Sequence, residues 1–468
     1  MNNIKKNLLE LFNSKKIFLY DKVLKKNITY NQFFLNSIKL SNFLKVEKNV
    51  KKNDVVLCKI EQSSLFYELI FACLILKCKL CPISNDWITE DQKKLKTEID
   101  PVLEIYSTTN LFYSTEIKVD IKEIISNLDL EYNFLLISSS GTTSNNLKII
   151  QHSLKNFYEN SLNFARLANF KKNDMFYAFW PQSYMAGIFN LFFVPLFCGS
   201  SIVLYHQIKL ANLLEIISKT MKYKISQLYL TPTMIFMMIR YKKIIFKNFK
   251  FSKKINIIST SSFLYPDIKK NFLKHYKKNI RNCYGITELC GSISYEKKIN
   301  TDFGSAGKLI SEIDIKCEGT KQKPKKIFFK SKSVCKSYYN TNKSMKNKFF
   351  DSGDLGYVVN NELFILGRSG ELIKKGGIFV SLNKIEEIAL GIEGIISAAA
   401  ICKKEKFSGA EIHLYIQPEK FDYRKKIKNK LLKKFNDSLN IIEIPDKIVF
   451  VKKIATTVIG KVKKFYYN

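Results

Sequence analysis

The residues Phe350 to Gly377 read FDSGDLGYVVNNELFILGRSGELIKKGG. Tyr357-Val-Val and Glu362-Leu-Phe-Ile-Leu have the β-branched and aromatic content of strands, and Asn360-Asn361 between them suits a two-residue hairpin turn. Closing that hairpin brings Asp354 and Arg368 side by side. A carboxylate in a Ser-Gly-Asp turn can accept hydrogen bonds from two ribose hydroxyls, and a guanidinium offers a fork of donors to the same sugar or its phosphate. The pair reads as a nucleotide clamp. Ser369-Gly370 just beyond it reads either as a pivot or as an ordinary turn.

A chain of 468 residues with 46% hydrophobic content has room for more than one domain and a sizeable core. Its net charge of +36 invites a nucleic-acid partner. The lysines are scattered, however, as in Lys51-Lys52, Lys171-Lys172 and Lys325-Lys326, and no recognition motif interleaves them with base-stacking aromatics, so no dedicated nucleic-acid partner is expected. Lysine is the ordinary cation here, and the only arginines are Arg166, Arg240, Arg281, Arg368 and Arg424. Ten cysteines lie mostly in apolar stretches without a secretory signal before them, which predicts a reduced, cytoplasmic setting. Phe66–Leu76 and Ile188–Tyr205 are apolar but interrupted, and read as buried elements rather than transmembrane segments.

Helix-like and strand-like segments alternate through the first two thirds, the pattern of sheets covered by helices. Ile28-Thr-Tyr opens a helix, Asp54–Ile60 contains a strand, and Phe134-Leu-Leu-Ile is a strand followed by a hydroxyl-rich loop. A helix after Ser153 is predicted to show Leu154, Tyr158, Leu162 and Ala165 on one face. The last hundred residues differ: a helix from Lys384 after a Ser381 cap, the strand Ile412–Ile416, and a long basic helix from Tyr423. The expected fold class is α/β, with a large multi-subdomain N-terminal domain over 1–368 and a small mobile α+β domain over 369–468.

Three further constellations carry chemistry. Ser138-Ser139-Ser140-Gly141-Thr142-Thr143-Ser-Asn-Asn-Leu-Lys148 gathers hydroxyls, a glycine and a lysine into one loop, which is either a solvated turn or a cradle for phosphate oxygens. It is not a P-loop, since GxxxxGK[ST] is absent. In Asn282-Cys-Tyr284-Gly285-Ile-Thr287-Glu288, Tyr284 can lie against a base, Gly285 permits close approach, Thr287 can donate to a phosphate and Glu288 can hold a divalent cation. The same residues also make an ordinary capped helix start. Thr457-Val-Ile-Gly-Lys461 near the C-terminus can deliver a cation to developing negative charge, or be one more lysine in a basic tail.

Taken in order, these motifs resemble those of the adenylate-forming superfamily, which includes acyl-CoA synthetases, luciferases and peptide-synthetase adenylation domains. The resemblance runs from Ile28-Thr-Tyr to Lys461. It implies ATP-dependent attack of a carboxylate on the α-phosphate to give an acyl-adenylate, followed in many members by transfer to a thiol, from coenzyme A or phosphopantetheine. Carried over by motif, Ser139 to Thr143 and Lys148 would handle pyrophosphate and Thr287 the α-phosphate region. Glu288 would position Mg2+, Tyr284 and Gly285 would border adenine, and Asp354 and Arg368 would hold ribose. Lys461 would stabilise charge during adenylation, and Lys374 precedes a Gly376-Gly377 turn that matches the one lining the thiol channel, although a plain hairpin turn would also use it.

By the same resemblance, Tyr184, Met185, Ala186 and Gly187, with Thr260, Ser261 and Ser262, would be the pocket walls for a small carboxylic acid. No aspartate lies between Phe179 and Gly187, where amino-acid-activating members of the family commonly place one for the α-ammonium, so the resemblance implies a non-amino acid. The chain departs from the family pattern at several places. Ser144 and Asn146 stand where glycine and proline are usual, Lys148 falls one place late, Tyr184 stands where histidine is common, Gly370 occupies the pivot and Ala455 replaces a proline. Other outcomes are delivery to an acyl-carrier protein or an amine, and a degenerate nucleotide-binding scaffold.

Overall fold

Alternation of short apolar strands with amphipathic helices builds two mainly parallel sheets in the computed structural model. It describes residues 3–464 apart from 61, 85–86, 88, 112, 114–118, 140–147, 207–211, 243–246, 248, 299–303, 336, 340, 342–344, 346–347, 377, 406–409 and 458–461. The chain forms two compact units: one holds Met1–Gly141, Asn146–Asp314 and Lys330–Phe349, and the other holds Ile315–Phe329 and Phe350–Asn468.

In the first unit a seven-stranded sheet runs in the order Ile280–Asn282, Asn256–Ser259, Gln227–Leu230, Met175–Ala178, Ser201–Leu204, Ile17–Asp21 and Lys26–Thr29. A five-stranded sheet runs Leu103–Ile105, Val55–Cys58, Lys79–Pro82, Asn133–Ser139 and Lys148–Ser153, with only the last pair antiparallel. The helix Tyr30–Val46 starts where Ile28-Thr-Tyr predicts, because the Thr29 hydroxyl accepts the Gln32 N–H. The apolar run at Phe66 is the helix Ser64–Leu76, buried at every position from Ser64 to Leu74. That burial explains a sequence without amphipathic alternation. Phe71 packs edge-on against Phe12 and Phe33, and Tyr67 stacks on Phe192 with centroids 4.2 Å apart.

The helix after Ser153, Leu154–Ala168, is capped by the Ser153 hydroxyl accepting from Asn156 N–H. Its inner face is Leu154, Phe157, Tyr158, Ser161, Phe164 and Ala165, so the stripe is wider than the predicted one and leaves Leu162 at its edge. Between the helical turns Met185–Ile188 and Val194–Cys198, the segment Phe189–Phe193 is wound as a π-helix. Pro195 has no N–H to give to the carbonyl four residues before it, and the Val194 N–H bonds back to Phe189 O. No described helix is long and apolar enough to cross a membrane.

The second unit contains the hairpin Phe350–Val359 and Glu362–Arg368, turned at Asn360 (φ 52°) and Asn361 (φ 61°). Both asparagines adopt the left-handed region that the tight turn needs. Farther along, the strands Ile395–Lys403, Glu411–Pro418 and Lys447–Phe450 form a small sheet. The helices Leu382–Leu390 and Arg424–Ser438 pack Ile385, Ala389, Ile427, Leu431 and Phe435 into the same core as Ile412, Leu414 and Ile416. The fold is α/β with a smaller α+β portion, as the sequence predicts.

Candidate active site

The strands Asn133–Ser139 and Lys148–Ser153, which flank the hydroxyl-rich segment, pair antiparallel with Ser139 opposite Lys148. Ser139 ends its strand; Ser140, Gly141, Thr142 and Thr143 lie outside the described residues. Lys148 is exposed, and its ammonium sits 5.7 Å from the centre of the Tyr338 ring. Tyr338 bridges to Ile150 in antiparallel fashion, and the Tyr339 N–H donates to Ile149 O at 2.8 Å. Tyr338 thus extends the hairpin edge beside the lysine, and its hydroxyl donates toward Glu288 Oε1 at 3.4 Å. Burial, then Glu288 and Cys335, keep that phenol protonated. Lys148, Tyr338 and Glu288 therefore line one surface of the first unit.

The Thr287–Glu288 turn is held from below by groups that motif reading passed over. His152 is fully buried, and its Nε2 lies 2.7 Å from the Thr287 carbonyl. A carbonyl only accepts, so Nε2 carries the proton. Nδ1 is buried without a partner among the described residues, and burial pushes the imidazole pKa down to about 4, with the Thr287 bond opposing. Asn160, also buried, donates from Nδ2 to the carbonyls of Cys290, Leu289 and Ser292 at 3.0, 3.3 and 3.4 Å. Cys335 N–H donates to Glu288 O at 2.8 Å. One signal for His152 was available: strand alternation places it on the same face as Ile150, and both are completely buried.

Thr287–Leu289 is a single 3-10 turn, not the start of a longer helix, and Cys290 ends it at φ 60°. Tyr284 N–H donates to Ser294 Oγ at 3.2 Å. Gly285 pairs with Ser292 in the short antiparallel ladder of Gly285–Ile286 and Gly291–Ser292. A Cβ on Gly285 would stand 2.2 Å from Gly291 O, so close strand contact demands the glycine. Gly291, at φ 106°, lets the Phe189 ring of the π-helix occupy the space a side chain would fill.

Among the pocket candidates, Tyr184 stands just before a helical turn and is half-buried, and Met185 and Gly187 are buried. A Cβ on Gly187 would meet Pro181 O at 2.4 Å. Ser261 is exposed at φ 81°, a backbone state rare outside glycine, directly after buried Thr260.

In the second unit Asp354 sits opposite Arg368 in the hairpin register. Its carboxylate is buried and lies 3.4 Å from Arg368 Nε, while the guanidinium side chain is 47% exposed. Gly353 before it has φ 75° and open space where a Cβ would point. The turn beyond is closed by Glu371 N–H donating to Arg368 O at 2.7 Å, and Ser369 N–H donates to Gly353 O at 2.9 Å. Strand alternation splits the basic pair: Lys374 is exposed, whereas Lys375 is buried and pairs with Asp446 at 2.7 Å. Gly376 turns at φ 53°; Gly377 and Lys461 lie outside the described residues.

The description "AMP-binding enzyme" fits residues 12–339, well over half the chain. The 2-succinylbenzoate–CoA ligase of Enterococcus faecalis is 27% identical over 39% of each chain. Several curated relatives are matched over half or less of their own length. The o-succinylbenzoate CoA synthetase of Bacillus subtilis, solved with an acyl-adenylate intermediate, superposes with TM-score 0.82 at 19% identity, covering 98% of this chain and 96% of that one. A peptide-synthetase adenylation and carrier pair, McyG A-PCP with phenylalanyl-adenylate, gives TM-score 0.86 at 18% identity over 99% of this chain and 82% of that one. The chain belongs to the AMP-binding enzyme family of the adenylate-forming superfamily.

Proposed function

We propose that the protein activates a small, non-amino carboxylic acid with ATP as an acyl-adenylate and passes the acyl group to a thiol. The observation that carries the reading is the clamp at the open end of the hairpin: a buried carboxylate, Asp354, beside a half-exposed guanidinium, Arg368, with empty space beside Gly353. The carboxylate can accept both ribose hydroxyls, and a guanidinium beside it suits the same sugar or its phosphate.

In the first step a substrate carboxylate oxygen bonds to the α-phosphorus, the α–β bridging oxygen departs, and pyrophosphate leaves. Tyr284 and Gly285 would border the base and Thr287 would donate to an α-phosphate oxygen. Lys148, with Ser139 to Thr143, would neutralise the pyrophosphate, and Lys461 would stabilise charge gathering at phosphorus. Glu288, whose Oε1 faces the Tyr338 hydroxyl on this surface, would be the protein ligand that meets Mg2+ carried on the phosphates. When bound, Mg2+ would supply charge neutralisation of the phosphates. In the second step a thiolate sulfur attacks the acyl carbonyl and AMP leaves with the bonding pair. Lys374 and the Gly376-Gly377 turn would line the approach of coenzyme A or phosphopantetheine. We assign the pivot between the two steps to Ser369-Gly370, dividing 1–368 from 369–468, and the setting to the cytoplasm.

Tyr184, Met185, Gly187 and Ser261 would wall the acid pocket. A carrier protein as thiol donor is a second reading, supported by the likeness to the adenylation and carrier pair. Pyrophosphate exchange into ATP, run over fatty, aryl, hydroxy and amino acids, tests the proposal, and exchange with no acid would refute it. Lys461→Ala should cut exchange by roughly 10²- to 10³-fold while leaving the melting temperature unchanged.

A further inference from the structure

Tyr338 lies between two charges that reach it from separate segments of the first unit, and the ATP motifs do not include it. Alternate residues of the strand Lys148–Ser153 share a face, so Lys148, Ile150 and His152 form one row. Tyr338 is bridged to Ile150 and is therefore the diagonal neighbour of Lys148, within reach of a long side chain. Its ring centre lies 5.7 Å from the Lys148 ammonium, and its hydroxyl lies 3.4 Å from Glu288 Oε1. At the other end of the row, His152 Nε2 meets the Thr287 carbonyl, which brings the Glu288 turn to the same face.

The backbone around Tyr338 is held independently of its side chain. Cys335 N–H donates to Glu288 O and Tyr339 N–H donates to Ile149 O, both at 2.8 Å. Gln151 Nε2 adds a bond to Ser337 Oγ at 3.4 Å. Burial, then Glu288 and Cys335, raise the pKa of the phenol, so the hydroxyl keeps its proton and meets the Glu288 carboxylate as a donor. An aromatic face attracts an ammonium without supplying a counter-charge, so a cation held this way stays available to an anion.

We propose that Tyr338 is a positioning residue for both phosphate-binding charges: its hydroxyl orients the Glu288 carboxylate toward the divalent cation, and its ring orients the Lys148 ammonium toward the pyrophosphate oxygens. This rests on the functional reading above, which gives the metal to Glu288 and pyrophosphate to Lys148. The two contacts use different parts of one side chain, so substitution separates them. Tyr338→Phe keeps the ring and removes the hydroxyl, whereas Tyr338→Leu removes both. Neither touches the backbone bonds that hold the segment.

Calorimetric titration with ATP, in Mg2+ and again in EDTA, reads the two contacts apart. Tyr338→Phe should lose roughly 3- to 10-fold in affinity in Mg2+ and stay within about twofold of wild type in EDTA. Tyr338→Leu should lose roughly 2- to 5-fold in EDTA as well, and should raise KM for pyrophosphate in the exchange assay by the same factor. In a Glu288→Gln background Tyr338→Phe should add nothing. Equal weakening of Tyr338→Phe in Mg2+ and EDTA would mark the hydroxyl as structural and overturn its role, as would unchanged affinity in Mg2+ or additivity with Glu288→Gln. A Tyr338→Leu variant that matches Tyr338→Phe in EDTA and toward pyrophosphate would overturn the role of the ring. A wild type that binds no ATP in either condition would overturn the functional reading and the role of Tyr338 together.

Discussion

Replacing His152 by glutamine should remove a pH dependence of stability that the wild type carries. The imidazole is held neutral: burial drops its pKa from 6.5 to about 4, and the Nε2 proton is committed to the Thr287 carbonyl. Between those two values the unfolded chain binds a proton that the folded chain refuses. Stability from this group is thus complete above about pH 6.5 and is lost as pH falls toward 4. From pH 7 to pH 4.5 the loss amounts to about 2–3 kcal/mol. Glutamine keeps an amide donor for Thr287 and has nothing to titrate. Urea unfolding at the two pH values should show the wild type losing about 2–3 kcal/mol more than His152→Gln, since Glu68, Glu296 and the other buried carboxylates are common to both. His152→Ala should instead be weaker at both pH values by about 1–3 kcal/mol, because the Thr287 carbonyl loses its donor. If Thr287 and Glu288 act as proposed, the alanine variant should also lose roughly 10²-fold in exchange activity through a displacement of about 1 Å. Identical pH dependence in wild type and His152→Gln would refute the reasoning.

Gly285→Ala drives a methyl group to 2.2 Å from Gly291 O and 2.6 Å from Ser292 Cα, both backbone atoms, so the ladder itself must open. A melting experiment should show a cost of about 1–3 kcal/mol, with a raised KM for ATP; a wild-type melt would contradict the close approach. Gly370→Pro stiffens the turn closed by Glu371 N–H and Arg368 O, and should depress thioester transfer more than pyrophosphate exchange. Equal loss of both rates would argue against a pivot at that position.

Local chemistry was readable from the chain because it spans few residues. Asn360-Asn361 announced the hairpin, Thr29, Ser153 and Ser381 announced the helices they cap, and the run from Phe66 announced a buried element. Groups that act across long separations left weaker marks. His152 meets Thr287 from 135 residues away, and Asn160 reaches Leu289 from 129. Neither stands in a motif, because a side chain that braces a turn from behind needs only one polar atom and no fixed neighbours. The pairing of Lys464 with Glu386 and Glu371 was hidden for another reason: in a chain with 77 lysines and arginines, Lys464 looks like the rest of its tail until its partners single it out. The two lysines before Gly376 looked alike as well, and only strand alternation separates the exposed Lys374 from the structural Lys375.

The pairing of Ser139 with Lys148 also divides that hairpin into regions of unequal tolerance to gained or lost codons. Residues 140–147 lie beyond the closing pair, so a length change there leaves the parity of the returning strand untouched. One residue inserted between Lys148 and Ile150 would exchange the two faces of the strand, turning Ile150 and His152 outward and Gln151 inward. A polar amide would then face the apolar layer, and the Thr287 turn would lose its brace without any change at Thr287 itself. Natural length variation in this segment should therefore fall before Lys148 and stop at it.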